Sequence, residues 1–176
     1  MARVPFVEQA VTQEGEQLIA EIKARRGGLL LNLDKVLLHS PALAKGWNQF
    51  IGAVRRQTSL PGNLRELAIL RVAVLNQAPY EFLQHAPVAR MEGVADAKID
   101  AVKQTKIDTE FNDTERIVLD YADAMTLDIR VPQPLFEAVR DTLGEVQTVE
   151  LTLTIASYNM VSRFLEAMEI EPEADH

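Results

Sequence analysis

Glu81 and His85 stand four residues apart in the stretch PYEFLQHAPVARM. On a helix that spacing puts a carboxylate and an imidazole on one face, close enough to meet. Such a pair can hold one imidazole tautomer and share a proton, the raw material of general acid–base catalysis. Both fall within two turns of a helix N-terminus, where free N–H groups and the helix dipole favour a carboxylate substrate. The plain alternative is a surface ion pair of little worth. Tyr80 adds a hydroxyl that could bind substrate, or a ring that packs while its hydroxyl stays wet. Glu66 is an acid within the apolar run LRELAILRVAVLN. It reads equally as the third residue of a capping box opened by Asn63 and as a buried carboxylate able to pass a proton. Arg71 lies deeper in that run and needs a partner, because an unpaired buried charge is costly. Glu66, Glu81 and a bound anion are the options, with a structural ion pair favoured.

Other polar residues carry plainer readings. Tyr158, Asn159 and Arg163 interrupt an apolar helix and suit a helix-pairing or subunit contact better than a pocket wall. His39 precedes Ser40-Pro41 at a helix end, where a cation is favourable. The turn Arg25-Arg26-Gly27-Gly28 is more simply a C-cap than an anion site. Three scattered histidines without HxH or HExxH spacing imply no metal site, and no glycine-rich nucleotide loop is present.

The elements that must position these groups are helices. Thr12–Arg26 reads as one, stopped by Gly27-Gly28. Leu29–His39 reads as a second. A third opens on Ser40 as N-cap and Pro41 as first residue, with Leu43, Trp47, Phe50, Ile51 and Val54 as its buried stripe. The run holding Glu66 is apolar nearly all round, hence a core helix. Asn76 and Pro79 bracket a break before a helix from about Pro79 to Glu92, closed by Gly93. Ala95–Lys103 is amphipathic, with Ile99 and Val102 inward. Lys103–Phe111 is polar and the best place for an internal boundary. Asn112 to Glu115 caps a helix that turns Ile117, Val118, Tyr121, Ala124 and Met125 inward. Pro134–Leu143 is a short helix ended by Gly144. Val146–Ile170 has strand-like content at VELTLTIASY but continues at helical spacing, which favours one helix. No hairpin dipeptide or alternating run appears, so the fold is expected to be all-α. A short helix, a turn and a long apolar helix recur at 41–76 and 134–159, suggesting stacked helical hairpins.

The chain has 176 residues, 47% hydrophobic and 25% charged, which suits a single globular domain spanning 1–176. Residues 1–11 read as an arm, Pro5 and Phe6 tucked onto a neighbour, and 171–176 as a frayed acidic tail. A formal charge of −8 argues against nucleic acid or an anionic membrane surface as partner. No run approaches the roughly 20 apolar residues needed to cross a bilayer. The N-terminus lacks the apolar core of a signal peptide, so a cytoplasmic location is expected. Cysteine is absent, which removes disulfides, thiolate chemistry and cysteine metal sites.

The run LPGNLRELAILRVAVLNQAPYEFLQHAPVARMEGV resembles the carboxymuconolactone decarboxylase family, within the alkylhydroperoxidase D-like superfamily. LDKVLLHSPALAKGWNQF resembles the helix entering that core, and VELTLTIASYNMVSRFLEAMEI the closing helix; the likeness spans roughly residues 25–170. The peroxidase branch carries a Glu, eleven residues, then Cys-x-x-Cys-x-x-x-His. Here Glu66 is followed by eleven residues and then Ala78, Glu81 and His85. The acid and the histidine match, whereas Ala78 and Glu81 replace both cysteines. Tyr80-Glu81-Phe82-Leu83-Gln84-His85 is similar to the cysteine-free, decarboxylase-like branch. The resemblance implies an all-helical alkylhydroperoxidase D-like bundle, a homo-oligomer of trimer or hexamer type, and a motif beside a subunit-lined pocket. For the activity it implies a cofactor-free lyase or proton-transfer enzyme on a small carboxylate or lactone. His85 is then the proton donor or relay, Glu81 its orienting partner and Glu66 a second carboxylate, with Arg71 or Tyr80 available for the anion. The rival is a non-catalytic oligomeric helical protein, in which Glu66, Arg71, Glu81 and His85 form a buried ion-pair network. Lactone hydrolysis or isomerisation is a third option.

Overall fold

A computed structural model of the chain describes residues 2–10, 12–104 and 110–173. Every regular element among them is helical, so the fold is all-α. By its internal contacts the chain divides into two compact units, one running to Gln57 and resuming at Leu165, the other Thr58–Phe164. The division does not fall at Lys103–Phe111, of which residues 105–109 lie outside the described ones. Phe111 is buried in the second unit's core, and Lys98 bonds Glu115 across that connection at 2.6 Å. A polar connection tied at both sides is a poor place for a boundary.

In the first unit, α1 (Gln13–Arg25) is capped as its sequence implies: Gly15 N–H donates to Thr12 Oγ1 at 3.2 Å. Gly27 has φ 66°, and Gly28 N–H then reaches back to the Lys23 carbonyl at 2.7 Å, the left-handed closure glycine permits. The second helix, α2 (Asn32–Leu37), is shorter than expected. Buried Asp34 accepts from Leu31 N–H and pairs with Arg26 Nε at 2.7 Å, which holds Leu29–Leu31 out of the helix. α3 spans Pro41–Arg56, and the Ser40 side chain makes no capping bond. Its buried face is Ala44, Ile51, Gly52 and Val54, while Leu43 and Phe50 are exposed. Gly52 on this face lies against the Arg25 side chain.

The arm and the tail are both bonded within this unit. Arg3 N–H donates to the Met168 carbonyl at 3.0 Å and Val7 N–H to that of Lys35 at 3.2 Å. His39 Nε2 lies 2.7 Å from the Pro5 carbonyl. Asn32 N–H donates to Glu173 at 2.7 Å. Residues 171–173 are thus anchored rather than frayed; 174–176 are outside the described residues.

The second unit is built on α4 (Gly62–Leu75), which is buried without interruption from Leu64 to Ala73. It starts earlier than expected, with Pro61 at the N-cap, so Asn63 and Glu66 are not a capping box. Gln77, in the left-handed region at φ 54°, turns the chain into α5 (Pro79–Met91). α6 (Asp96–Ala101) turns Ile99 inward, and α7 (Asp113–Asp123) opens on the expected Asn112–Glu115 capping box. A π-helical turn, Ala124–Asp128, follows. Leu67, Leu70, Ala86, Ala89, Val102 and Leu119 are among the core residues joining α4, α5 and α7. The last helix, α8 (Gln133–Ala167), is broken at Gly144, as expected. Its threonines and serines bond the carbonyls one turn back, Thr152 to Thr148 and Thr154 to Glu150. VELTLTIASY is helical despite its strand-like content, its Leu151 and Ile155 fully buried, since burial of an apolar face outweighs intrinsic propensity.

Candidate active site

Two helices of the core meet with their acids facing inward. α4 supplies Glu66, α5 supplies Glu81 and His85, and all three are buried, Glu66 and Glu81 at 1% exposure and His85 at 5%. Burial of so many ionisable groups is tolerable only when each is hydrogen-bonded. His85 Nδ1 lies 2.6 Å from Glu66 Oε2. A carboxylate offers only lone pairs, so Nδ1 carries the proton and, in the neutral ring, Nε2 holds the basic lone pair. Arg65 stands at the other oxygen of Glu66, Nε to Oε1 at 3.4 Å, and continues to Glu92 at 3.1 Å. The Tyr158 ring packs edge-on against the imidazole, with centroids 4.9 Å apart. Carboxylate, imidazole and aromatic wall therefore fix the tautomer and the plane of His85 together.

Glu81 has a different neighbour. Ser162 Oγ, from α8, lies 3.1 Å from each of its oxygens and 2.9 Å from the Tyr158 carbonyl. The orienting partner at Nδ1 is thus Glu66 and not Glu81, a correction to the i,i+4 reading. The helical spacing brings Glu81 and His85 to one face, yet the acid from the neighbouring helix reaches the ring nitrogen. Tyr80, two positions into α5, is buried at the same end of that helix.

Arg71 belongs to another cluster. It forms a two-armed pair with Asp123, at 2.5 and 2.6 Å, and Nη1 donates to the carbonyls of Val102 and Gln104. The expected partners Glu66 and Glu81 are replaced by an acid 52 residues away. The guanidinium ties α4 to the end of α7 and to the turn after α6. Beside it, Asp120 is held above the usual carboxylate range by partial burial and by the Asp123 charge. Asn159 lies in a second polar contact: Asn76 Nδ2 donates to its Oδ1 at 3.0 Å, and its own Nδ2 donates to Thr126 at 3.0 Å. This is the helix-pairing role its sequence position suggested.

Ser162 and Asp123 were missed from sequence. Asp123 closes an amphipathic helix and looks like an ordinary surface acid. Ser162 carried a usable signal, one turn beyond Tyr158 and inside an apolar run. A cleft of ≈730 Å³ also opens along α7 and α8, lined by residues that include Tyr121, Phe136, Thr148, Val149, Thr152 and Leu153. None of Glu66, Glu81 or His85 lines it. Among the described residues no group of three or more acidic or histidine side chains is arranged to hold a metal ion, and no helix is long and apolar enough to cross a membrane.

With that geometry in view, the comparisons with known proteins place the fold. Residues 41–124, the segment that holds Glu66, Glu81 and His85, match the carboxymuconolactone decarboxylase family model. Over 115 residues, 64% of this chain and 78% of the other, the chain is 29% identical to the uncharacterized protein YdfG of Bacillus subtilis (strain 168). The alkylhydroperoxidase AhpD core of an uncharacterized peroxidase-related protein from Ralstonia eutropha JMP134 superposes with a TM-score of 0.82. It is 20% identical and covers 99% of this chain and 93% of that one. A cysteine-to-alanine variant of the debrominase Bmp8, in complex with 2,3,4-tribromopyrrole, superposes with a TM-score of 0.79, at 18% identity over 99% and 95% of the two chains. The architecture is thus the alkylhydroperoxidase D-like helical bundle, here in a chain without cysteine.

Proposed function

We propose that this protein is a cofactor-free, carboxymuconolactone decarboxylase-like enzyme that moves protons on a small carboxylate or lactone. The observation that carries the reading is the buried Glu66–His85 pair, with Nδ1 committed to the acid. An anchored Nδ1–H raises the basicity of Nε2 and stabilises the imidazolium when Nε2 is protonated, the behaviour wanted of a general acid. In decarboxylation of an unsaturated lactone acid, the bond to the carboxylate breaks, CO₂ departs and the electron pair remains as a dienolate. His85 then delivers its Nε2 proton to carbon and returns to the neutral form. Glu66 balances the positive ring before that step, and Tyr158 fixes its plane. Thiol-based peroxide reduction is closed to the chain, because it has no cysteine to oxidise. Ala78 and Glu81 occupy the two positions.

The test is a panel of muconolactones and related lactone acids, with CO₂ release followed for the native protein and His85→Gln. The variant keeps the helical circular-dichroism signature and loses turnover by at least about 10²-fold, the usual worth of a positioned acid or base. Equal turnover in the two proteins contradicts the assignment.

A second reading, a non-catalytic assembly protein, is favoured by one observation. Val146, Val149, Leu153 and Met160 lie exposed on α8 at spacings of three, four and seven residues. That is the seam pattern of a helix awaiting another helix. In this reading the stripe packs against a second copy of the chain, and the Glu66–His85 and Glu81–Ser162 contacts serve only to set the helix packing. Both readings share the oligomer; they part at turnover.

A further inference from the structure

We propose that Ser162 is a positioning residue whose hydroxyl turns between two partners, so that Glu81 can gain and lose a proton without leaving the core. The inference rests on the proton-transfer reading of the site, and it assigns Glu81 a part that the Glu66–His85 contact leaves open.

Three oxygens surround one hydroxyl. Glu81 Oε1 and Oε2 are each 3.1 Å from Ser162 Oγ, and the Tyr158 carbonyl is 2.9 Å away. A serine has one proton to give and two lone pairs with which to accept. When Glu81 is ionised, Ser162 donates to one of its oxygens and offsets part of the cost of a buried charge. When Glu81 is protonated, its own O–H donates to Oγ, and the serine proton swings to the Tyr158 carbonyl. Each state leaves the hydroxyl with one bond given, and the protonated state adds one received. No proton passes through Ser162: Glu81 gains one, and the hydroxyl rotates to match. An ordinary helical serine would simply bond the carbonyl one turn back. What sets Ser162 apart is the buried carboxylate on its other side, both residues being essentially inaccessible to water.

The position is linked to the catalytic pair through Tyr158. The residue whose ring edge abuts His85 is the one whose carbonyl receives the serine proton. A proton on Glu81 is therefore registered by the backbone of the residue that walls the imidazole. The buried ionisable groups on the elements that meet here are His85 and Tyr80 on α5, Glu66, Arg65 and Arg71 on α4, and Tyr158 on α8. His85 stands one helical turn from Glu81, near enough for its charge to act on the acid. The measurement has to be made with and without the imidazole.

The test is a pH titration of the carboxyl C=O infrared band in the full-length protein. The band of Glu81 is assigned by its loss in Glu81→Gln, and circular dichroism confirms the fold of each variant. Ser162→Ala removes the hydroxyl that meets both Glu81 oxygens. It is expected to shift the midpoint of that band upward by about one pH unit, because the bond lost by the ionised acid is stronger, by about tenfold in equilibrium constant, than the one lost by the protonated acid. Ser162→Thr keeps a hydroxyl and is expected to restore the native midpoint. Both results are expected to hold in the His85→Gln background. Identical midpoints for the native protein and Ser162→Ala overturn the proposal, as does a threonine that fails to rescue, or a Glu81 band that never titrates. The readout does not depend on turnover. A protein that turns over no lactone acid yet shows the serine-dependent shift fails the functional reading alone.

Discussion

At the scale of single residues, the structure rewards attention to which atom meets which. The structure buries Glu66, Glu81 and His85, and their spacing with Ala78 was legible in the chain. The partner of each group was not. Glu66, nineteen positions from His85, holds Nδ1, although Glu81 is nearer in sequence, because two packed helices bring distant residues closer than helical spacing alone. The same holds for Arg71, whose need for a partner was evident while the identity of Asp123 was not. Asp120 illustrates the electrostatic side. Its pKa is raised by burial and then by the neighbouring Asp123, with Arg71 and Arg116 opposing. A carboxyl with a raised folded-state pKa contributes stability fully present below the unfolded value of about 4 and lost as pH rises through the folded value. Asp120→Asn removes that loss. Thermal unfolding is expected to show a higher Tm for the variant at pH 7 and convergence with the native protein near pH 3. A variant less stable at both pH values contradicts this account of the Arg71–Asp123 surroundings.

At the scale of elements, helix termini were read well where a side chain or a glycine decides them. Thr12, Asn112, Gly93 and Gly144 fall where expected. Errors arose where tertiary contacts decide. Asp34 shortens α2 by binding Arg26, and α3 buries Ala44, Ile51, Gly52 and Val54 while leaving Leu43 and Phe50 exposed. Neither follows from periodicity, which finds an apolar side but not the neighbour that it meets. The break in α8 gives the sharpest test of element geometry. Gly144 has φ 78° and ψ 169°, a region open essentially to glycine alone, and a Cβ there would meet nothing within 4 Å. Gly144→Ala therefore adds conformational cost with no steric clash, about 1–3 kcal/mol. Urea denaturation is expected to show a lower midpoint with an unchanged slope. An unchanged midpoint would mean that the break is not required.

At the scale of the whole molecule, the all-helical class and the resemblance to the family model were legible because the central run is both apolar and specifically spaced. The exposed seam on α8 was not separable from core in the sequence. Val146, Val149, Leu153 and Met160 carry the same residue types as the buried Leu151 and Ile155, and only the packing of the helix shows which side is left uncovered. Charge placed in that seam should separate assembly from folding. Leu153→Glu is expected to lower the solution mass, measured by light scattering, from an oligomer to a single chain while the helical signal is retained. A native protein that is already a single chain contradicts the assembly proposal.

The central claim is that the Glu66–His85 pair returns a proton to carbon. It is tested most directly by running the reaction in deuterium oxide with a muconolactone-type acid and reading the product by mass spectrometry and NMR. The account predicts one deuterium on a carbon of the former dienolate with the native protein, and unreacted substrate with His85→Gln. Product formed equally by both proteins, or no reaction of the native protein with any lactone acid of the panel, would contradict it.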